Sequence, residues 1–184
     1  MKSIYNFLKN NFDAEISVHD KPSTLLDSSD VIFIPGVGHF GFASKYIYSN
    51  KLEESIYRFS ESKKPIIGIC LGAQLLANSS EEDPKAKGLG LIDAECKSLL
   101  KHPTYKDKIP RIGWSGLKDE NNKAFYFVHS YYIDVKNTNL KTSFSDDDVT
   151  AMIESDNILA MQFHPEKSDI SGVDITKSFI RKHV

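Results

Sequence analysis

A short hydrophobic run that ends in a cysteine between two glycines restricts the fold of this chain more than any other feature. The run lies within the segment KPIIGICLGAQLLA and is β-branched and uninterrupted over 65–69, which indicates a strand buried in a parallel sheet. Good helix formers follow at 73–77, so Cys70 lies at a strand-to-helix turn. Gly68 and Gly72 allow a tight bend there and a close approach of neighbouring backbone.

Two interpretations of Cys70 are open at this point. Most free cysteines are small hydrophobic side chains buried in a core. A strand-to-helix turn is also the geometry of a nucleophile elbow, in which the sulfur is exposed above the sheet and the helix N-terminus favours a thiolate. The segment alone favours neither interpretation over the other.

The remaining pattern predicts a single domain over residues 1–184, of the α/β class. The first half alternates helices and strands as in a doubly wound sheet, with helices predicted at 3–11 and 44–62 and strands at 14–18, 31–34 and 65–69. The second half carries short β signals and a closing helix, at 91–99, 109–114, 124–128, 131–135, 150–153, 158–163 and then 175–182. Turns are predicted at 121–122 and 146–148. We expect a mixed, mainly parallel central sheet flanked by helices on both faces, with extra antiparallel strands in the second half.

Composition and charge narrow the class of partners. The chain has 184 residues and a net charge of −2, so there is no basic footprint for nucleic acid. Its apolar runs are far shorter than the roughly 20 residues of a membrane span, and the N-terminus has no apolar signal core, so we expect no membrane partner and a cytoplasmic location. There we expect Cys70 and Cys96 to remain free thiols. No Cys/His spacing predicts a metal site.

A nucleophilic cysteine needs a base, and the base needs a group that orients it. The chain has six histidines, namely His19, His39, His102, His129, His164 and His183. Only His164, in AMQFHPEKS, has a carboxylate placed by local geometry to orient it, because residues i and i+2 of an extended segment point to one side. Glu166 would hold the imidazole tautomer while the other ring nitrogen faces Cys70. The alternative is a surface histidine beside an unrelated glutamate.

The segment FIPGVGHFG contains a strand that runs into a glycine-rich turn at 35–38. Backbone N–H groups in such a turn can form half of an oxyanion hole, with the N–H after Cys70 as the other half. The alternative is a simple glycine-rich loop. Neither this segment nor GLGLI fits a phosphate-binding fingerprint, so no cofactor is predicted.

Together these motifs resemble a known family. PGVG, GICLGAQ, PRIGW, FYFVHSYY and QFHPEKS occur in the order and at the separations of class I (triad) glutamine amidotransferases. FVHSYY, GLGLI and the lysine of HPEKS narrow the resemblance to the glutamine amidotransferase subunit of imidazole glycerol phosphate synthase. The family opens with a β-strand before the helix matched here by KSIYNFLKN, so either the start lies upstream or the sheet lacks this strand.

The resemblance implies roles for individual residues. Cys70 would attack the side-chain amide of L-glutamine, with His164 as the base and Glu166 orienting it. The oxyanion would be held near Val37 and Leu71. Further positions match the family's glutamine pocket, namely Gly36, Gly38, Gln74, Tyr126, His129, Ser130 and Tyr131. His129 is the rival for the general base, and the resemblance gives it a substrate-binding role instead.

The resemblance also implies a partner that receives the ammonia, a (β/α)8-barrel cyclase in a heterodimer, with Trp114 and Lys167 at the interface. Arg111 and Ser115 depart from the histidine and asparagine common in this subunit, near the expected partner face. Because of these two departures, a second pathway stays open, in which a related subunit supplies ammonia for amidotransfer to bacterial surface sugars. Two other functions also stay open for a chain of this kind, a non-catalytic regulatory module and a free-standing amide hydrolase.

Overall fold

The structure is a computed structural model that describes residues 2–22, 26, 28–136 and 139–184. Its first half contains helix α1 (Lys2–Asn11), strand β1 (Ile32–Gly36), helices α2 (Phe40–Ser49) and α3 (Leu52–Glu61), strand β2 (Ile66–Cys70) and the short helix α4 (Leu71–Leu75). Its second half contains strands β3 (Ser79–Ser80), β4 (Ala94–Ser98), β5 (Arg111–Leu117), β6 (Glu120–His129), β7 (Tyr131–Val135), β8 (Lys141–Phe144), β9 (Thr150–Ser155) and β10 (Ile158–Met161), then helix α5 (Asp169–Ile180).

The central sheet has five strands in the order β1-β2-β10-β9-β8. Strands β1 and β10 both pair with β2 in parallel, whereas β9 is antiparallel to both β10 and β8. Four of the five strands therefore run in one direction. This confirms the mixed, mainly parallel sheet that the sequence predicts.

Alternating side chains of β2 build the two layers that cover this sheet. Ile66 packs into a hydrophobic cluster that includes Phe59 of α3, on one face. Ile67 packs into a second cluster that includes Phe7 of α1 and Phe179 of α5, on the other face. Because both faces are covered, β2 is a continuous apolar strand rather than an alternating one. The helices on both faces are thus confirmed.

Two smaller sheets carry the additional antiparallel strands of the second half. Strands β3, β4 and β7 form one of them, and the β5–β6 hairpin forms the other. The hairpin is held by three consecutive aspartates, Asp146 to Asp148, which we call the aspartate turn. Each binds a group of β5 or the turn after it: Asp146 Oδ2 accepts from the Gly116 N–H (2.8 Å), Asp147 binds Arg111 (2.9 Å) and Asp148 binds Lys118.

Several predicted element bounds are wrong. Residues 14–18 form no strand, because among the described residues nothing pairs with them and Val18 is exposed. The helix predicted over 44–62 is two helices, divided where Lys51 adopts a left-handed conformation (φ 56°). The turn predicted at 121–122 lies three residues too late, since the turn is at 118–119 and β6 already begins at Glu120.

The predicted turn at 146–148 is confirmed, and the closing helix begins earlier than predicted, at Asp169. No helix among the described residues is long and apolar enough to cross a membrane.

Candidate active site

The turn at Cys70 has the strained backbone of an elbow. Cys70 is the last residue of strand β2 and has φ 53° and ψ −112°, a conformation that side-chain-bearing residues rarely adopt. The backbone around Gly68 and Gly72 leaves no room for a side chain at either position. A Cβ on Gly68 would lie 2.7 Å from Ala73 Cα, and one on Gly72 would lie 1.7 Å from the Ile34 carbonyl oxygen. The glycines therefore let α4 pack directly on the sheet and hold the turn in place.

The sulfur of Cys70 is covered, although the elbow geometry predicts an exposed one. Cys70 is only 7% exposed. Its Sγ lies 3.7 Å from the Val128 carbonyl oxygen and 3.8 Å from Gln162 Nε2. The end of the β5–β6 hairpin and the residue after β10 thus close over the elbow, which is why the prediction of an exposed sulfur is wrong.

His164 and Glu166 form a buried pair beside this sulfur. His164 Nδ1 lies 2.9 Å from Glu166 Oε1, and the other ring nitrogen, Nε2, is buried without a hydrogen-bond partner among the described atoms. Burial opposes protonation of His164, but the Cys70 and Glu166 side chains outweigh it and raise the pKa of His164 to about 9. Burial likewise opposes ionisation of Glu166, but the hydrogen bond to His164 lowers the pKa of this carboxyl below its ordinary value. The His164–Glu166 pair therefore favours a protonated imidazole beside an ionised carboxylate.

His129, the rival base, has a different environment. It is buried at the end of β6, and its Nδ1 lies 2.8 Å from the Tyr131 carbonyl oxygen. Because a carbonyl only accepts, Nδ1 carries the proton and Nε2 is a buried acceptor without a partner in the described residues. Burial lowers the pKa of His129 to about 3. A neutral His129 with no carboxylate behind it is poorly suited to hold a proton during catalysis.

The glycine-rich turn at 35–38 lies against the elbow. A Cβ on Gly36 would be 2.9 Å from the Gly72 nitrogen and 3.0 Å from Leu71 Cβ, so this backbone touches the residues that follow Cys70. Val37 is 79% exposed, and Gly38 adopts a positive φ of 106°. The two halves of the predicted oxyanion site are therefore adjacent, and one of them is in an exposed turn.

Three of the residues predicted to line a substrate pocket, Gln74, His129 and Tyr131, are joined by hydrogen bonds. Gln74 Nε2 donates to the Tyr131 carbonyl (3.0 Å) and to Gln162 Oε1 (3.0 Å). The Ser130 carbonyl accepts from the Leu99 N–H. The Tyr126 carbonyl accepts from the His164 N–H at 2.9 Å. Strand β6 is thereby tied to the histidine segment.

The two residues predicted at a partner interface share one exposed surface. The Trp114 ring meets the Tyr126 ring edge-on at 5.8 Å between centroids, and Lys167 Nζ lies 5.4 Å from the Tyr126 centroid. Trp114 is 52% exposed, and Ile112, two residues earlier on β5, is also exposed. We call Ile112, Trp114, Tyr126 and Lys167 the aromatic face.

Arg111, which the sequence analysis places near the expected partner face, does not itself lie on the aromatic face. Its guanidinium is buried, stacks 4.0 Å above the Phe127 ring and binds Asp147. Alternation along β5 explains the difference, because Arg111 and Ile112 point to opposite sides of the hairpin. Ser115, the second departure, is half-buried and donates to the Gly116 carbonyl.

Two neighbours of the sulfur, Val128 and Gln162, were missed by sequence reasoning. Strand register contains a signal for Gln162. Ile69 of β2 pairs with Met161 of β10, so the next residues, Cys70 and Gln162, lie side by side. No comparable signal marks the Val128 carbonyl, since a backbone group leaves no trace in residue type. Among the described residues, no group of three or more His, Cys, Asp or Glu side chains is placed to hold a metal ion.

Comparison with known proteins identifies the family to which this site belongs. The sequence profile of the family described as glutamine amidotransferase class-I matches residues 3–181. The subunit HisH 2 of imidazole glycerol phosphate synthase from Vibrio vulnificus is 37% identical over 196 residues, covering 98% of this chain and 88% of that one. The subunit HisH from Methanothermobacter thermautotrophicus is 36% identical over 191 residues, covering 98% of this chain and 92% of that one.

Solved structures agree in fold at lower identity. A crystal structure of a glutamine amidotransferase superposes with a TM-score of 0.79 at 17% identity, covering 98% of this chain and 92% of that one. The structure of PurLQS from Thermotoga maritima superposes with a TM-score of 0.65 at 18% identity, covering 98% and 91% of the two chains. The profile match over nearly the whole sequence decides the assignment: this chain belongs to the glutamine amidotransferase class-I family.

Proposed function

We propose that this protein hydrolyses L-glutamine to L-glutamate and ammonia through Cys70, His164 and Glu166, and that it does so as the glutaminase subunit of an imidazole glycerol phosphate synthase in histidine biosynthesis. The observation that supports the chemistry best is the strained Cys70 elbow beside the buried His164–Glu166 pair. The pathway is supported by the relatives named as HisH subunits. A cytoplasmic location fits such a biosynthetic role.

The chemistry begins with a proton transfer. His164 takes the Cys70 proton on Nε2, and the Glu166 carboxylate at Nδ1 stabilises the imidazolium that results. The thiolate attacks the side-chain amide carbon of glutamine, and the carbonyl oxygen becomes an oxyanion. The C–N bond then breaks, His164 returns its proton to the nitrogen, and ammonia leaves. Water attacks the glutamyl thioester, releasing glutamate and restoring the thiol.

The oxyanion needs donors that are already in place when charge develops. Backbone N–H groups near Val37 and Leu71 are the proposed donors, because the glycine-rich turn touches the residue after Cys70. Loss of one such donor typically costs about 10² to 10³ in rate. The other residues that we propose bind glutamine are those that the family resemblance implies, including His129.

Ammonia is useful to a synthase only when it is delivered before it escapes, which favours a docked acceptor. We propose that the aromatic face binds a (β/α)8-barrel cyclase as a heterodimer. Trp114 and Ile112 expose apolar surface there, and Lys167 adds a cation. Exposed aromatic side chains with an adjacent cation are typical of protein interfaces. We propose neither a nucleic acid nor a membrane as a partner.

A steady-state assay of glutamine hydrolysis tests this function. The isolated chain and its mixture with an imidazole glycerol phosphate synthase cyclase are each assayed for glutamate release. We expect slow hydrolysis alone and much faster hydrolysis with the cyclase and its acceptor.

Three different results would contradict the proposal in different ways. No turnover under any condition indicates a non-catalytic regulatory module. Fast turnover that no barrel partner changes indicates a free-standing amide hydrolase. Activation only by a surface-sugar amidotransfer enzyme indicates the second pathway.

A further inference from the structure

The chain contains two glutamines, and their side chains bind each other beside the nucleophile. Gln74 lies on α4 and Gln162 follows β10. Gln162 is only 1% exposed, and Gln74 is also buried. Gln162 has no part in the mechanism described above, although its amide contacts the Cys70 sulfur.

The direction of both amides is determined by a backbone carbonyl. Gln74 Nε2 lies 3.0 Å from the Tyr131 carbonyl oxygen, which can only accept, so the nitrogen end of the Gln74 amide must face it. The second hydrogen of the same nitrogen is donated to Gln162 Oε1 at 3.0 Å. The oxygen end of Gln162 therefore faces Gln74. Its Nε2 is directed at Cys70 Sγ, 3.8 Å away.

The two contacts of the sulfur suit different protonation states. A thiol donates its hydrogen to the Val128 carbonyl at 3.7 Å. A thiolate has no hydrogen to donate and needs donors, which the Val128 carbonyl cannot supply. The Gln162 N–H is a donor in either state. When the proton leaves the sulfur for His164, the contact with Gln162 becomes a hydrogen bond to a charged acceptor, which is the stronger kind.

We propose that Gln162 donates a hydrogen bond that stabilises the Cys70 thiolate, and that Gln74 is a positioning residue that fixes the direction of the Gln162 amide. The inference rests on the proposed role of Cys70 as nucleophile. It leaves only the Gln74 side-chain oxygen for the glutamine-binding role that the family resemblance implies, because both of its amide hydrogens are committed.

Alkylation of Cys70 by iodoacetamide, measured as a function of pH on the full chain without glutamine, tests the proposal. Gln162→Met keeps most of the volume and removes the donor. We expect it to shift the pH midpoint of Cys70 alkylation upward by about one unit, the worth of one hydrogen bond to a charged group. Gln74→Met leaves the Gln162 amide free to turn, so we expect a smaller upward shift. The turnover number should fall about tenfold in Gln162→Met, with the KM for glutamine little changed.

Asn157→Leu is the matched control. Asn157 is a buried amide at the opposite end of β10, where its Nδ2 donates to the Lys64 carbonyl at 2.7 Å. Its loss should lower the melting temperature without moving the alkylation midpoint. His164, the titratable group that interacts with Cys70, and the groups linked to it, Glu166 and His129, are unchanged in all three variants.

A Gln162→Met protein that loses stability but keeps the wild-type midpoint would overturn the proposal and leave Gln162 a purely structural residue. If Gln162→Met does not fold, the pH midpoint of Cys70 alkylation in Gln74→Met decides. An unchanged midpoint in that variant would also overturn the proposal. Alkylation of Cys70 needs no glutamine turnover, so a failure of this proposal can be told apart from a failure of the proposed function. The alkylation midpoint can be measured even in a chain that does not hydrolyse glutamine.

Discussion

The two cysteines of this chain lie in different surroundings, and their reactivity should differ accordingly. Cys96 is 0% exposed, its Sγ contacts the Gln74 carbonyl at 3.6 Å, and burial raises the pKa of its thiol. Cys70 lies on the elbow beside His164.

We expect a glutamine-analogue electrophile to label Cys70 and spare Cys96, and Cys70→Ala to abolish glutamine hydrolysis while the fold persists. Peptide mass spectrometry and circular dichroism check this, with Cys96→Ala as the control. Labelling of Cys96 instead would overturn the site.

The division of roles between two histidines gives a second prediction. His164→Ala should lower the turnover number by about 10² to 10⁴, the usual contribution of a general acid–base residue. Glu166→Gln should cost less, because orientation and charge are weakened while the base remains. His129→Ala should chiefly raise the KM for glutamine. A turnover loss in His129→Ala equal to that in His164→Ala, with binding unchanged, would contradict the assignment.

The His164–Glu166 pair makes the free energy of unfolding depend on pH. Cys70 and Glu166 raise the folded pKa of His164 to about 9, above its ordinary 6.5, so the stability that they gain from a protonated His164 is complete below 6.5 and is lost as pH rises through 9. The pKa of Glu166 is lowered, so its contribution is lost as pH falls below the ordinary value of 4.5. We therefore expect Glu166→Gln to destabilise the protein most between these limits, near pH ~5.5. Urea unfolding at that pH and at pH ~10 checks this, and an equal loss at both values would refute it.

At the scale of elements, the aspartate turn attaches the β5–β6 hairpin to the rest of the fold. Asp147→Ala leaves the Arg111 guanidinium buried without its carboxylate, which should cost about 3–5 kcal/mol in the free energy of unfolding. Arg111→Met keeps contact with Phe127 and removes the buried charge itself, so it should cost less. Asp148→Ala is the control, since its partner Lys118 is exposed and such pairs are worth about 0–1 kcal/mol. Equal losses in Asp147→Ala and Asp148→Ala would contradict this account.

Sequence pattern predicted elements well where packing on two faces leaves a continuous signal. Strand β2 and the elbow follow directly from the apolar run and its glycines. The same reasoning failed at 14–18, where β-branched residues have strand propensity but the described structure gives them no neighbour to pair with. Propensity is local, whereas a strand needs a partner distant in sequence.

The candidate site was predictable where its geometry is local. The i, i+2 spacing of His164 and Glu166 places their contact within one extended segment. The covering of the sulfur by Val128 and the burial of Arg111 depend on how a distant hairpin packs, and no local spacing contains that information.

At the scale of the whole molecule, an enzyme that makes ammonia for a partner wastes glutamine when it acts alone. The glycine-rich turn is exposed at Val37 and has a positive φ at Gly38, so we propose that a peptide unit there turns an N–H toward or away from the proposed oxyanion site. Only a partner with different affinities for the two states can drive that change. We expect the cyclase to raise turnover far more than glutamine affinity.

Lys167→Ala should weaken this activation without changing hydrolysis by the isolated chain. Lys177→Ala is a matched control, because Lys177 lies on α5 with its Nζ 5.6 Å from the Phe12 ring, much as Lys167 Nζ lies 5.4 Å from the Tyr126 ring. Each variant is titrated with the cyclase, and glutamate release is measured to compare how strongly the cyclase activates it. Equal activation of the Lys167→Ala and wild-type proteins would remove the aromatic face from the proposed interface.

The position of β1 in the central sheet bears on how the protein behaves in concentrated solution. Among the residues that the structure describes, no strand pairs with the outer side of β1, and open sheet edges invite other chains to add as strands. The Ile32 N–H donates inward to the Pro65 carbonyl, so by alternation Phe33 and Pro35 direct their backbone groups outward. Pro35 has no N–H, and this leaves Phe33 as the one outward donor between Ile32 and Gly36. Pro35, which begins the glycine-rich turn, therefore leaves this edge with fewer donors for the strand of another chain to bind.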